Sequence, residues 1–152
     1  MSDGTRRGRG RMTDGADRAQ PQAVYDLIGA ERLERLIGAF YRRVAGDPLL
    51  RPLYPEQDLG PAERRLRLFV IQYFGGPADY AAERGHPRLR MRHAPFRIGQ
   101  AERDAWMRAM RAAMDDAAIP EPARTMMTDY FEKAATFMIN HPLEGIFRDL
   151  GR

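Results

Sequence analysis

The chain has 152 residues, 43% of them hydrophobic, with a net charge of +4 and no cysteine. That is the size of one ordinary domain, able to bury a core unaided. The missing cysteine excludes disulfides, thiolate nucleophiles, zinc-thiolate sites, iron-sulfur clusters and any thiolate-held or thioether-attached cofactor, so a metal here must use His, carboxylate or Tyr. The longest apolar run, residues 68–71, is far short of a membrane span, and the start of the chain has no apolar signal core. The expectation is a soluble, cytoplasmic protein. Its cations are arginines apart from Lys133. Acids are interleaved with them and no arginine stripe follows a helix face, which reads as a solvated surface rather than a nucleic-acid footprint.

Residues 1–20 are rich in Gly, Arg and Asp with almost nothing apolar, and are expected to form a disordered arginine-rich arm. A short helical segment over residues 22–27 leads to Gly29. Then Leu33, Leu36, Ile37, Phe40, Tyr41 and Val44 recur at the spacing of one helix face. A tyrosine in that stripe must find a hydroxyl partner or face a cavity. Gly46, Asp47 and Pro48 stop this helix, and Asp47 can cap a brief turn that ends at Leu53, Tyr54 and Pro55.

Pro61 fits the first turn of a further helix that buries Ala62, Leu66, Phe69, Val70 and Tyr73 and ends at Gly75, Gly76 and Pro77. A loop with a helical turn near residues 79–83 follows. After Gly99, residues 100–117 bury Trp106, Met110, Ala113 and Met114; residues 122–139 then bury Met127, Tyr130, Phe131, Ala134 and Met138. In the tail, Leu143, Ile146, Phe147 and Leu150 have the spacing of one more short helix. No alternating strand pattern occurs. The fold class is all-α, and Tyr41, Tyr54 and Trp106 set three polar hydrogens on inward faces, which hints at a cavity.

Two of the three histidines, His86 and His93, lie in Gly-His-Pro-Arg-Leu-Arg-Met-Arg-His-Ala-Pro-Phe, residues 85–96. Pro87 and Pro95 restrict their neighbours and leave room for about two helical turns between them. An imidazole on so short and pinned an element can be aimed at a metal. It can equally be a loop histidine that bonds a backbone carbonyl.

That stretch, with Glu102 to Trp106, Phe40-Tyr41, Leu53-Tyr54-Pro55-Glu56 and Gln72-Tyr73-Phe74-Gly75-Gly76, resembles the truncated haemoglobins, and specifically their group II or O type. The resemblance runs from about Val24 to Asn140. It implies a truncated globin domain over residues 22–140, a two-over-two helical sandwich around haem, with residues 141–152 as an extension. It makes His93 the proximal iron ligand, its other ring nitrogen donating to a backbone carbonyl. His86 is then structural, and His141 has no role.

The resemblance also implies that Tyr41, Tyr54 and Trp106 face bound ligand. Ala62 stands where many full-length globins have a distal histidine, Leu66 and Phe69 line the pocket, Phe96 contacts haem, and Arg65 and Arg90 pair with the propionates. Phe74 departs from the tryptophan of many relatives. The implied function is reversible binding of dioxygen and other diatomic ligands at ferrous iron. The alternative is nitric oxide dioxygenase or peroxidase-like turnover with a reductase as partner. A third reading, in which the arginine arm contacts nucleic acid or an acidic protein, fits the mixed charge pattern poorly; a homo-oligomer is left open.

Overall fold

The computed structural model describes residues 23–141, so the expected arm at residues 1–20 and the expected helix at residues 143–150 lie outside the described residues. All described regular elements are helical. α1 (Ala23–Gly46) buries the whole stripe of Leu33, Leu36, Ile37, Phe40, Tyr41 and Val44. Gly29 interrupts it as a kink rather than a gap, at φ 77°, a left-handed value that glycine adopts without a Cβ penalty. Beyond Gly46, Asp47 Oδ1 accepts the Leu49 and Leu50 amides at 2.8 and 3.0 Å and so caps the turn into a 3-10 segment, Arg51–Leu53.

α2 (Gly60–Tyr73) carries Pro61 in its first turn and buries Ala62, Phe69, Val70 and Ile71. At its end the Gly76 amide donates to Ile71 O at 2.8 Å, and the Tyr25 amide donates to Phe74 O at 2.9 Å, tying the start of α1 to the end of α2. Gly76 is required sterically, because a Cβ there would stand 2.6 Å from both Ile71 Cγ2 and the Tyr25 ring. Gly76→Ala is therefore expected to cost about 1–3 kcal/mol, read as a lowered Tm in thermal denaturation. Gly46→Ala, whose Cβ meets nothing within 4 Å, is expected to leave Tm near the parent value.

Two short helices follow, α3 (Asp79–Arg84) and α4 (Leu89–His93), and then the two long ones, α5 (Gln100–Asp116) and α6 (Ala123–Phe137). α1 packs against α2, α5 against α6, and α1 crosses onto α5. Two helix pairs are thus stacked, as the resemblance implies. Phe40, Phe74, Phe131, Met110, Met114 and Met127 are wholly buried between them, a core built by apolar burial at about 25 cal/mol per Å² removed from water. An Arg43–Asp116 ion pair at 2.9 Å joins the ends of α1 and α5 at the surface, where such pairs contribute little. α3 and α4 lie in sequence between the pairs and supply part of the wall of an internal cavity.

Candidate functional site

The cavity has a volume of about 390 Å³, within the usual range for cofactor and small-molecule sites. α4 presents Leu89, Arg92 and His93 to it, α1 presents Tyr41, the segment after the 3-10 turn presents Tyr54 and Glu56, α2 presents Ala62, Arg65, Leu66 and Phe69, and α5 presents Trp106. Phe96 also lines it. Of the residues to which the resemblance gives a ligand or haem contact, Arg90 alone is off the wall. Leu89 and His93 are one helical turn apart and face inward with Arg92 beside them, so Arg90 projects to the flank. Its guanidinium lies over the ring of Phe137, 5.2 Å from the centroid.

His93 Nδ1 is 2.6 Å from Leu89 O. A carbonyl only accepts, so Nδ1 carries the proton and Nε2 carries the lone pair that a metal takes. His86 Nδ1 instead accepts the Arg88 amide at 3.1 Å and holds the turn before α4.

The three polar aromatics form one cluster. The Tyr41 and Tyr54 rings meet edge to face at 5.7 Å, and Phe40 separates Tyr41 from Trp106 at centroid distances of 5.2 and 5.1 Å. Burial, with Tyr54 beside it, raises the Tyr41 hydroxyl far above the ordinary phenol range. Burial likewise raises Tyr54, against a lowering by hydrogen bonds from Tyr41 and Trp106. Both phenols are therefore neutral donors at physiological pH.

Several wall residues were not visible as such in the sequence. Glu56 pairs with Arg65 at 3.0 Å, and this hydrogen bond is the chief reason its carboxyl lies below the usual range. Glu56 Oε2 is buried without a partner, and so is Arg92 Nε. Arg92 otherwise donates to Arg84 O at 3.1 Å, and Arg84 also reaches the cavity. Tyr130, placed in the core by its period, lines the cavity and stacks on Tyr73 at 3.8 Å. The period of a five-residue helix cannot distinguish Arg92 from Arg90, and no local pattern signals the Glu56–Arg65 pairing.

An apolar cavity with one aimed imidazole and a cluster of neutral hydrogen-bond donors, set inside stacked helix pairs, defines a helical haem protein. The model of the family described as "Bacterial-like globin" matches residues 23–140. Group 2 truncated hemoglobin YjbI of Bacillus subtilis (strain 168) is 42% identical over 118 residues, covering 78% of this chain and 89% of that protein. Among solved structures, a thermostable hemoglobin from the actinobacterium Thermobifida fusca is 55% identical with a TM-score of 0.76, covering 78% of this chain and 98% of that one. A truncated oxygen-avid haemoglobin from Bacillus subtilis is 42% identical with a TM-score of 0.74, covering 77% and 98%. The chain belongs to the bacterial-like globin family and, within it, to the group II truncated haemoglobins.

The cofactor of this family is iron protoporphyrin, and the wall fits it. His93 Nε2 would offer a nitrogen lone pair, Leu66 and Phe69 supply apolar surface, and the buried, unpartnered Arg92 Nε is the donor that an anionic substituent at the cavity edge would satisfy.

Proposed function

We propose that this chain binds dioxygen and other diatomic ligands reversibly, with His93 as the iron ligand and Tyr41, Tyr54 and Trp106 as the ligand's hydrogen-bond donors. The observation that carries the reading is their meeting in one cavity: an imidazole whose Nδ1 is tied to Leu89 O, and a donor cluster centred on Tyr54. The Bacillus subtilis neighbour is described as oxygen-avid, which agrees with a pocket of several donors.

Haem, when bound, supplies a ferrous iron with an open position for a diatomic molecule. The protein does the rest. The Leu89 carbonyl orients the His93 ring and leaves the lone pair on Nε2. Leu66 and Phe69 keep water out, and Ala62 donates nothing, so stabilisation of a partly negative ligand falls to the three aromatics. Tyr41, Tyr54 and Trp106 each bring one polar hydrogen to the wall, and the two phenols, held neutral by burial, keep theirs for donation. Arg92 and Arg84 are the cations for the propionates, joined by Arg65, whose charge Glu56 already offsets. The same donors would polarise a ligand during turnover with nitric oxide or peroxide, so the site gives that reading no advantage.

The test is a visible spectrum of the haem-reconstituted protein, ferric, dithionite-reduced, and with carbon monoxide or oxygen. A histidine-ligated ferrous form that takes up and releases oxygen is expected; a protein that retains no haem overturns the reading.

A ferrous binder also needs a reductant, and a cytoplasmic reductase is the proposed partner. Residues 84–101 hold five arginines and two histidines and no acid. Arg88 and Arg90 are exposed, and Met91, next to Arg90, is 59% exposed, on the helix that walls the cavity. This surface fits an acidic electron-transfer protein. The reduction rate of the ferric form by a reduced acidic ferredoxin is expected to fall steeply with added salt and severalfold in Arg88→Glu, measured by stopped-flow absorbance.

A further inference from the structure

α4, which carries His93, has little of its own to hold it in place. It spans Leu89–His93, begins from Arg88 in the left-handed region at φ 44° and ψ 48°, and has no side-chain cap. The Nδ1 contact to Leu89 O lies within α4. It fixes how the ring is turned on the helix, but not where the helix stands relative to the cavity.

The position is set from outside, by Asn140, three residues beyond the end of α6. Asn140 Nδ2 donates to Phe96 O at 2.7 Å and, at a longer 3.4 Å, to His93 O, while Asn140 Oδ1 accepts the Ile98 amide at 2.9 Å. The two ends of the amide face partners of opposite kind, so its orientation is dictated by its surroundings. The Asn140 and His141 amides both donate to Ile98 O, at 2.9 and 3.1 Å, and the Phe96 amide closes the turn on His93 O at 2.9 Å. The turn from His93 to Ile98 is thereby fastened to the end of α6, whose Met127 and Phe131 are buried in the core.

We propose that Asn140 is a positioning residue for the iron ligand: through Phe96 and His93 carbonyls it sets the distance and tilt at which His93 meets haem, while Leu89 sets the ring's rotation. The proposal rests on the haem reading above. It divides control of the iron between two levers, a local one within α4 and a long-range one from α6. Partners bonded directly to a metal-ligating side chain are worth about 10- to 100-fold in metal-site affinity, and Asn140, which acts through backbone carbonyls, is expected at the low end of that range.

Asn140→Ala is expected to release haem to an apomyoglobin acceptor about 10-fold faster and to shift the iron–histidine stretching band of the ferrous, ligand-free protein in resonance Raman. Asn140→Asp keeps the acceptor for Ile98 but loses both donors, and is expected to shift the band even should the alanine variant fold poorly. Thr136→Ala serves as the control. It removes the hydroxyl that Arg103 Nε reaches at 3.2 Å near the same end of α6, leaves the Asn140 bonds alone, and is expected to leave the band in place. An unshifted band in both Asn140 variants, or an equal shift in Thr136→Ala, overturns the proposal. A parent protein with no iron–histidine band overturns instead the haem reading beneath it.

Discussion

His93→Ala is expected to abolish stable haem uptake. The imidazole is the one wall group with its lone pair already selected, by the 2.6 Å contact of Nδ1 with Leu89 O, and outer partners of metal ligands alone account for about 10- to 100-fold in affinity. Losing the ligand itself should accelerate haem loss by more than about 100-fold, measured by transfer to an apomyoglobin acceptor. The fold should survive, because His93 is only half-buried on a short helix outside the main core; far-UV circular dichroism of the apoprotein checks this. Added imidazole should restore a five-coordinate ferrous spectrum. Parent-like haem retention in the variant would remove His93 from the site.

The second large effect concerns release of the bound ligand. A hydrogen bond to a charged partner is worth roughly 1.5–3 kcal/mol, so Tyr54→Phe is expected to speed oxygen dissociation roughly 10- to 100-fold, read by stopped flow against carbon monoxide. Tyr41→Phe and Trp106→Phe should act partly through Tyr54, since both are its neighbours on the cavity wall. Their effects should therefore combine with Tyr54→Phe by less than the sum, which a double-mutant cycle measures. Burial raises both phenols, so their protonated, donating forms persist as pH rises. The parent dissociation rate should consequently stay flat up to about pH 10, the ordinary tyrosine range. Rates within twofold of the parent for all three variants would show that the cluster is packing alone.

The long helices were legible in the sequence because burial acts on every turn of them. The stripe from Leu33 to Val44 reads the same in sequence and structure, and Asp47 caps its turn as its position suggests. The resemblance located His93, Tyr41, Tyr54 and Trp106, and all four line the one cavity. Other features lay beyond sequence reasoning for identifiable reasons. In α4, too short to display a period, Arg92 faces inward and Arg90 stacks on Phe137. The Glu56–Arg65 pair and the Asn140 bonds join segments distant in the chain, and one sequence carries no record of which loop a side-chain amide will meet.

Ala62 has a further consequence, for coordination number. At physiological pH that part of the wall offers nothing to compete as a second protein ligand: Ala62, Leu66 and Phe69 have no donor atom for iron, the Trp106 nitrogen has no free lone pair, and burial holds Tyr41 and Tyr54 in their neutral forms. His86, the other histidine of the same segment, is occupied with the Arg88 amide. With haem bound as proposed, an incoming gas would displace none of these side chains, and its rate of binding is expected to be set by passage through the pocket rather than by prior dissociation of a side chain.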